Sequence, residues 1–329
     1  MKRHVFTIIY SVLLAAFTLY IILDTFVISR VYDQDTTQMN TGVFNNEAPD
    51  TAEDDSISEP DVYMYEETAA TAPTVVATAS TVATTATADE EIGCYSDENI
   101  SVTIEEYTYN DTRVYVADVK LNSAEYLKTA FADDAYGKNI KATTSEMAED
   151  NDAILAINGD NYGSQESGYV IRNGIVYRDK AGKNDVLCIY ADGSMEVIDP
   201  DEISTDELVE RGVWQAFSFG PALIEDGSVS VSEGDEVGKA KASNPRTAVG
   251  IIDDLHYVFV VSDGRTEESE GLSLYELAGF MESLGVTTAY NLDGGGSSTM
   301  VFKGSVINNP TTTGRSVKER EVNDIVYIG

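Results

Sequence analysis

The sequence predicts an α+β domain of mainly antiparallel or mixed β-sheet with a few packed helices, and three observations support that prediction. From about residue 92 onward, short β-branched and aromatic runs alternate with pairs of turn-forming residues. Helix-start signals are few and do not alternate strictly with strands, as they would in a parallel α/β sheet. The chain before residue 92 shows neither pattern, so we expect a single folded domain at residues 92–329.

The N-terminal segment has the composition of a membrane span. Lys2 and Arg3 precede an almost unbroken apolar run over residues 5–23, which is long enough to cross about 30 Å of hydrocarbon at about 1.5 Å per residue. We therefore predict a cytoplasmic N-terminus at residues 1–4 and a single-pass signal-anchor helix at residues 5–28, with the rest of the chain outside the cell. A cleaved signal peptide is the alternative, although its apolar region usually has only about 7–15 residues.

Residues 29–91 predict a disordered tether between the anchor and the domain. Asp and Glu dominate its first part, and Ala and Thr make up most of the stretch 68–88. Acidic self-repulsion and low complexity leave too few large apolar side chains to build a core. We expect this segment to act as a stalk.

Four turn signals predict antiparallel hairpins within the domain. Each lies between two β-branched or aromatic runs, the arrangement in which a short turn joins neighbouring strands. The four are Asn173-Gly174, Asp192-Gly193, Asp226-Gly227 and Asp253-Asp254.

Capping signals predict the helices. Ser273 begins a capping-box pattern, and apolar residues then recur at helical spacing until Gly285. Ser204 and Thr143 begin two shorter candidates. A weaker helix is predicted over residues 122–130.

Charge and the scarcity of histidine restrict the chemistry. A formal net charge of −36 makes nucleic acid an unfavourable partner, and an anionic substrate can bind only where local arginines overturn the overall field. Of the two histidines, His4 precedes the predicted span, and a structural place at a hairpin shoulder suits His256 better than a catalytic triad. Cys94 and Cys188 would lie outside the membrane, where they form a disulfide or Cys188 is simply a small buried residue. Catalysis is thus expected to use carboxylates, arginines, amides and backbone N–H groups.

The most informative stretch is residues 291–299, in which Asp293 precedes three glycines directly after a strand-like segment. Glycine permits backbone angles through which successive N–H groups turn toward an anion, and the hydroxyl side chains that follow add donors. The stretch therefore indicates a phosphate or sugar-phosphate site beside an acid, with a strained hairpin connection as the structural alternative. The glycines are Gly294, Gly295 and Gly296, and the hydroxyl-bearing residues are Ser297, Ser298 and Thr299.

Other polar residues that follow predicted strands are expected to converge on this stretch, because a rigid scaffold holds the loops at strand ends. An Asp after a strand is also a common turn former, and an arginine in so acidic a chain is also a surface counter-charge. Their joint occurrence nevertheless favours a site. The candidates are Asn158, Asp160, Arg246, Asp263, Arg265, Asn291 and Asp293.

The order of the motifs resembles the phosphodiester glycosidase family, which has lysosomal members and bacterial members associated with exopolysaccharide synthesis. The resemblance covers about residues 94–329. The motifs are Asn-Gly-Asp at 158–160, Phe-Gly-Pro-Ala-Leu at 219–223, Asn-Pro-Arg-Thr-Ala-Val-Gly at 244–250, Asp-Gly-Arg at 263–265, Gly-Leu-Ser-Leu-x-Glu-Leu at 271–277 and Asn-Leu-Asp-Gly-Gly-Gly-Ser-Ser-Thr-Met at 291–300.

The resemblance implies a hydrolase that cleaves a sugar-1-phosphodiester and releases the sugar. With the predicted anchor, it suggests an extracellular enzyme acting on exopolysaccharide or cell-wall glycopolymer. Asp293 is the expected catalytic carboxylate with Asp263 as its partner, either as nucleophile or as base for water. The expected substrate-binding residues are Asn158, Asp160, Arg246, Arg265, Asn291, Gly294, Gly295, Gly296, Ser297, Ser298 and Arg320.

Two other functional classes stay open. A non-catalytic glycan-binding module on a stalk would bind polymer without releasing reducing sugar. A metal-dependent phosphodiesterase would cut the P–O bond instead of the sugar C–O bond. No cofactor is predicted, with Ca²⁺ as the minor alternative because clustered carboxylates outside the cell suit it.

Overall fold

The computed structural model describes residues 2–32, 88–237 and 243–329, and β-strands make up most of the secondary structure in those ranges. The strands are β1 (Arg30–Val31), β2 (Glu90–Ser96), β3 (Ile100–Tyr109), β4 (Thr112–Leu121), β5 (Leu127–Phe131), β6 (Gly137–Lys138), β7 (Leu155–Asn158), β8 (Val170–Arg172), β9 (Ile175–Arg178), β10 (Val186–Tyr190), β11 (Met195–Ile198), β12 (Val213–Phe217), β13 (Ala222–Glu225), β14 (Ser228–Val229), β15 (Arg246–Asp253), β16 (His256–Ser262), β17 (Thr288–Asn291), β18 (Met300–Phe302), β19 (Ser305–Val306) and β20 (Asp324–Ile328).

Three antiparallel sheets surround one apolar core. The largest has eight strands in the order β14-β13-β17-β15-β16-β4-β3-β2, and two five-stranded sheets have the orders β19-β18-β7-β20-β5 and β11-β10-β12-β8-β9. Phe259, Leu155 and Leu187 come from the three different sheets, and all are fully buried in the same cluster. A mainly β-sheet domain with few helices is therefore confirmed.

The predicted helices form at their predicted capping residues. The helices are α1 (Lys2–Phe26), α2 (Thr144–Asp150), α3 (Thr205–Glu210) and α4 (Leu274–Ser283). Thr143 and Ser273 make complete capping boxes, and the Ser204 hydroxyl accepts the backbone N–H of Glu207. Such caps satisfy N–H groups that have no partner within the helix. Helix α4 buries one apolar face and lies against the sheet end that carries β13, β14 and β17.

The four predicted hairpins are confirmed as β8–β9, β10–β11, β13–β14 and β15–β16. Asn173 and Gly174 both have positive φ, 51° and 74°, which is the backbone that a two-residue turn of this kind requires.

The weak helix predicted over residues 122–130 is wrong. The chain makes one turn of 3₁₀ helix at Ala124–Tyr126 and then enters strand β5, which pairs with β20 along its whole length. Leu127 and Thr129 point into the buried side of this pairing. Tertiary pairing therefore decides a segment whose local propensity is ambiguous.

The predicted anchor begins with a helix, α1, but in the described ranges no helix is both long and apolar enough to cross a membrane. The transmembrane span predicted at residues 5–28 is therefore not confirmed.

Residues at both ends of the predicted tether pair with strands of the folded part of the chain. Val31 and Arg30 pair with Gly137 and Lys138 in a two-stranded ladder, so residues 30–31 contact the domain. At the other end the domain begins at Glu90, because β2 pairs with β3 in the large sheet. The tether between these points, residues 33–87, lies outside the described residues.

Candidate functional site

The loop at residues 293–299, called the glycine loop below, leaves β17 where two other segments hold its backbone. The N–H of Asp293 donates to Gly159 O at 3.3 Å, and the N–H of Gly295 donates to Pro245 O at 2.8 Å. The side-chain amide of Asn158 donates to Asp293 O at 2.6 Å. The predicted convergence of the 158–160 and 244–250 motifs on this loop is therefore present in the fold.

Several backbone N–H groups of the glycine loop are used within the protein. Gly295 donates to Pro245, while Ser297 and Ser298 donate to Gly294 and Gly295 within a 3₁₀ turn. The expectation that successive N–H groups face an anion is thus wrong for these three. Side chains that surround the loop are therefore further candidates for anion recognition.

Three arginine side chains, called the arginine cluster below, lie beside the three glycines. A β-carbon built on each glycine would meet a different arginine side chain. The pairs, with the distance from that β-carbon to the nearest arginine side-chain atom, are Gly294 with Arg246 Cδ at 3.9 Å, Gly295 with Arg265 Nη2 at 2.8 Å, and Gly296 with Arg320 Nη2 at 2.6 Å.

The absence of side chains therefore lets guanidinium groups approach this backbone. Real β-carbons essentially never come closer than 3.0 Å to such atoms, so a side chain at position 295 or 296 would displace its arginine. The three arginines also grade from buried Arg246 through half-buried Arg265 to exposed Arg320. This gradation opens the cluster toward solvent on one side.

The cluster is electrostatically strained in a way that an anion would relieve. Burial lowers the pKa of Arg265, and the positive charges of Arg320 and Arg246 lower it further. A neighbouring like charge disfavours the charged form, whereas a bound phosphate would favour it. In a chain of net charge −36, these three cations form a local positive site.

Protein groups hold two of the arginines in place. Arg265 donates to Asn244 Oδ1 at 2.9 Å and to Thr312 O at 2.7 Å. Arg246 donates from Nε to Leu272 O at 2.7 Å and from Nη2 to Glu236 Oε2 at 2.7 Å. Glu236 was not predicted, and its carboxylate competes with any external anion for Arg246.

Three consecutive hydroxyl groups of the glycine loop are buried without a hydrogen-bond partner among the described residues. They belong to Ser297, Ser298 and Thr299, each at most 1% exposed. Ser297 lies close enough to Asp293 to lower the pKa of that carboxyl, without the geometry of a hydrogen bond. Buried polar groups are normally satisfied, so three adjacent exceptions make the glycine loop an unusual segment of this fold.

The Asp293 carboxyl interacts electrostatically with Arg320 of the arginine cluster and with Asp160. Burial raises the pKa of its carboxyl, and Asp160 adds to the rise. Ser297 and the charges of Arg320 and Lys141 act in the opposite direction. A carboxyl whose pKa is raised by burial is a candidate for acid–base chemistry.

Asp263, the predicted catalytic partner, is engaged within the protein. Its Oδ1 accepts the backbone N–H of Asn309 at 2.8 Å and the side chain of Asn308 at 3.2 Å, and its Oδ2 accepts the Asn309 side chain at 3.0 Å. Asn308 in turn donates to Ser298 O at 3.0 Å. Asp263 therefore holds Asn308, which in turn holds the glycine loop, and its catalytic role stays a prediction.

The predicted amides also act as braces. Asn158 Oδ1 accepts the Thr247 hydroxyl at 2.8 Å and the backbone N–H of Thr299 at 3.3 Å. Asn291 donates to Gly220 O at 2.8 Å, and its Oδ1 has no partner in the described part of the chain. Asn158 therefore fixes the glycine loop, whereas Asn291 fixes the end of β17 to the segment that contains Gly220.

Asp160 belongs to a buried ion-pair network that sequence reasoning missed. Arg172 lies 2.9 Å from Asp160 Oδ1 and 2.8 Å from Asp324 Oδ2. These three side chains, called the buried triad below, are all within 1% of complete burial. Arg172, a charged residue at the end of the apolar strand β8, was the signal in the sequence that could have indicated this network.

A cleft of about 630 Å³ adjoins the arginine cluster through Glu236. Its floor includes Gly220, whose carbonyl accepts the Asn291 side chain. The charged residues along its walls are Lys183, Asp185, Glu225, Asp235 and Glu236. The cleft is acidic, unlike the arginine cluster beside it.

The remaining sequence predictions concern metals, histidine and cysteine. Within the described ranges, no group of three or more His, Cys, Asp and Glu side chains could hold a metal ion. His256 pairs with Asp118 at 2.8 Å on the large sheet, in keeping with a structural place. Cys94 is exposed and Cys188 is buried, and both are free thiols, so the disulfide is absent.

Comparison with known sequences gives one family match and similar relatives. Residues 151–329 match the sequence family of phosphodiester glycosidases. A prophage-derived uncharacterised protein of Bacillus subtilis is 30% identical over 180 residues, which cover 53% of this chain and 28% of that protein. The N-acetylglucosamine-1-phosphodiester alpha-N-acetylglucosaminidase of Mus musculus is 32% identical over 120 residues, which cover 35% of this chain and 23% of that protein. The chain thus spans less than a third of either relative.

Solved structures share the fold. The zebrafish N-acetylglucosamine-1-phosphodiester alpha-N-acetylglucosaminidase catalytic domain, auto-inhibited by its pro-peptide, has a TM-score of 0.56 and 21% identity, covering 74% of this chain and 88% of that one. A hypothetical protein from Synechocystis has a TM-score of 0.50 and 16% identity, covering 70% and 62%. The sequence match begins at residue 151, yet β2, β3 and β4 lie in the same sheet as β15–β17. The folded unit is therefore larger than the matched region.

Substitution of Gly296 by Ala should weaken phosphate binding while the protein stays folded. The added methyl would lie 2.3 Å from the Thr312 hydroxyl and 2.6 Å from Arg320 Nη2, and both are flexible side-chain ends that can move away. We expect calorimetric titration with inorganic phosphate to give at least about a tenfold weaker Kd, roughly 1.4 kcal/mol. Gly279→Ala is the control, because the nearest atom to its β-carbon is 3.8 Å away. An unchanged Kd in Gly296→Ala would contradict the described loop.

Substitution of Asp263 by Asn should destabilise the fold. The new NH₂ group would face a donor, either the amide of Asn309 or that of Asn308, and one buried hydrogen bond would be lost. We expect urea unfolding to show a loss of about 1–3 kcal/mol. Exposed Asp226→Asn is the control and should change stability by no more than about 0.5 kcal/mol. Equal stability of both variants would show that Asp263 does not brace the loop.

Proposed function

The chain belongs to the phosphodiester glycosidase family, and from that premise we propose that its domain hydrolyses a sugar-1-phosphodiester. The bond that breaks joins the anomeric carbon to the phosphate oxygen, so water adds to the sugar and a phosphomonoester leaves. The observation that carries the proposal is the arginine cluster beside three glycines, next to the half-buried carboxyl of Asp293.

The arginine cluster supplies the phosphate site in this proposal. Guanidinium groups donate paired hydrogen bonds that match the geometry of phosphate oxygens. Negative charge grows on the departing phosphate as the C–O bond breaks, and positive groups already in place stabilise it in the transition state. Because a phosphate monoester is a good leaving group, the reaction needs less help from a general acid than cleavage of an ordinary glycoside.

Asp293 supplies the carboxylate on the sugar side. It acts either as a nucleophile on the anomeric carbon or as the base that activates water, the two roles that glycosidase carboxylates take. Its place beside Arg320 and Ser297 puts it next to the proposed phosphate site. Asp263 supports the reaction by bracing the loop through Asn308 and Asn309.

The acidic cleft accommodates a part of the substrate that carries no phosphate. Four of its five charged lining residues are carboxylates, which accept hydrogen bonds from sugar hydroxyls and repel further phosphates. Substrates with a single phosphodiester are therefore favoured over polymers with a phosphate at every repeat. The mammalian relative is named for an N-acetylglucosamine-1-phosphodiester, which makes that compound the first to test.

The proposed location of the domain outside the cell is based on the sequence. The apolar run over residues 5–23 after Lys2 and Arg3 supports a membrane-anchored protein whose domain lies outside the cell. In that location exopolysaccharide and cell-wall glycopolymer are the available substrates.

Asp293→Asn should abolish hydrolysis of the sugar-1-phosphodiester that the native chain cleaves. The amide keeps the shape of the side chain and removes both nucleophile and base, so we expect a loss of at least about a thousandfold in kcat. The assay is release of reducing sugar, with Asp226→Asn as the control of equal charge. Full activity in Asp293→Asn would remove this residue from the mechanism.

Oxygen-18 water separates the proposal from its alternatives. Label in the sugar shows C–O cleavage, and label in the phosphate shows P–O cleavage by a phosphodiesterase. Binding of polymer without release of sugar would instead show a glycan-binding module.

Glu236→Gln should strengthen phosphate binding. The substitution removes the negative charge that lies 2.7 Å from Arg246, so an external anion no longer competes with a carboxylate. We expect a Kd for inorganic phosphate about three- to tenfold lower, measured by calorimetry at fixed ionic strength. Glu225→Gln, in the same cleft wall, should leave the Kd unchanged. Weaker binding in Glu236→Gln would show that Arg246 does not contact the phosphate.

A further inference from the structure

The buried triad lies beside Asp293 and has no part in the reaction as proposed so far. Its members Asp160, Arg172 and Asp324 come from three different segments, the loop after β7 and the strands β8 and β20. Burying two carboxylates with one guanidinium leaves the group with an excess of negative charge when both acids are ionised. Such burial is unfavourable unless every charge is compensated.

The two carboxylates of the triad are compensated unequally. Asp160 accepts hydrogen bonds from Arg172 at 2.9 Å, from the backbone N–H of Tyr162 at 3.2 Å and from that of Ser218 at 2.9 Å. Asp324 Oδ2 accepts Nε and Nη2 of Arg172 at 3.1 and 2.8 Å. Asp324 Oδ1 has no partner among the described residues, although the side chain is fully buried. This oxygen is the natural place for a proton.

Gly159 connects Asp324 to Asp293. Its N–H donates to Asp324 O at 2.9 Å, and its carbonyl accepts the N–H of Asp293 at 3.3 Å. A β-carbon at position 159 would lie 2.3 Å from Asp324 Oδ1, so the unpartnered oxygen occupies the space that a side chain would take. Gly159 thus contacts the Asp324 carboxyl and is hydrogen-bonded to the backbone of Asp293, and the negative charge of Asp293 acts on the Asp324 carboxyl.

Charges on the surrounding elements agree with this geometry. Burial raises the pKa of Asp324 to about 7, with Arg172 opposing the rise and Asp160 and Asp293 adding to it. The ionisable groups that face the two carboxyls are Arg172 on β8, Asp160 and Tyr162 after β7, Lys141 before α2, and Arg320 before β20.

We propose that Asp324 is a positioning residue whose charge state changes how readily Asp293 binds a proton, so that the two carboxyls titrate as a pair. The role in catalysis rests on the proposed function, whereas the paired titration is a property of the free protein. When Asp324 is ionised, its negative charge favours the protonated form of Asp293. When Asp324 is protonated, Asp293 ionises more readily.

Asp324→Asn tests the pairing. The amide oxygen can still accept from Arg172, the NH₂ group takes the place of the unpartnered Oδ1, and Arg172 and Asp160 remain as a neutral pair, so we expect the variant to fold. Carboxyl ¹³C resonances of aspartate are followed from pH 3 to 9, with Asp293 assigned from its loss in Asp293→Asn. We expect two coupled steps for Asp293 in the native chain and one step at a pH lower by about half a unit or more in Asp324→Asn.

One control variant and two contrary results complete the test of the paired titration. Asp226→Asn removes an exposed carboxyl and should leave the Asp293 titration unchanged. A titration of Asp293 that is the same in Asp324→Asn as in the native chain overturns the inference. If Asp324→Asn does not fold, the native titration decides alone, because independent single steps for Asp293 and Asp324 also overturn it.

Activity separates this inference from the proposed function. In Asp324→Asn, the limb of the pH profile of kcat/KM that reports Asp293 should move to lower pH by the same amount as the NMR titration. Paired titration without hydrolysis of any sugar-1-phosphodiester would leave the pairing and remove the proposed function. Hydrolysis together with independent titrations would support the proposed function and overturn the pairing.

Discussion

The approach of guanidinium groups to a backbone without side chains is the constraint on which the rest of the site depends. Arg265 and Arg320 occupy space that β-carbons at Gly295 and Gly296 would fill. The loop keeps this shape because neighbouring segments hold it, through the Asn158 amide on one side and the braced amide of Asn308 on another. Several polar residues around the site thus hold the loop, and the arginine cluster is the group available for recognition of an anion.

Electrostatic balance explains how so acidic a chain can receive a phosphate. The overall charge of −36 repels anions, but its effect is screened within about 8 Å in physiological salt, so nearby cations determine the field at the site. Arg246 is partly neutralised by Glu236, whereas Arg265 has no carboxylate partner in the described part of the chain and is repelled by the other two arginines. Asp160 of the buried triad adds negative charge near Asp293. The pKa of Asp293 is therefore subject to opposite effects, a lowering by Arg320 and a rise by Asp160.

Sequence alone predicted the sheet-rich domain, the hairpins and the helix caps, because turn pairs such as Asn173-Gly174 and capping residues such as Ser273 act locally. It also identified the glycine loop and all three arginines. It could not assign individual roles, since whether Asp263 faces solvent or the amides of the next loop depends on a segment some 45 positions away. It missed Asp324 because an acid in the apolar final strand has a meaning only once Arg172 is folded against it.

A crystal structure with a non-hydrolysable sugar-1-phosphonate diester tests the central claim most directly. The account predicts phosphonate oxygens within about 3 Å of the guanidinium groups of Arg246, Arg265 and Arg320, with the anomeric carbon on the side of Asp293. A ligand bound elsewhere while all three guanidinium groups stay without contact to it would contradict the account.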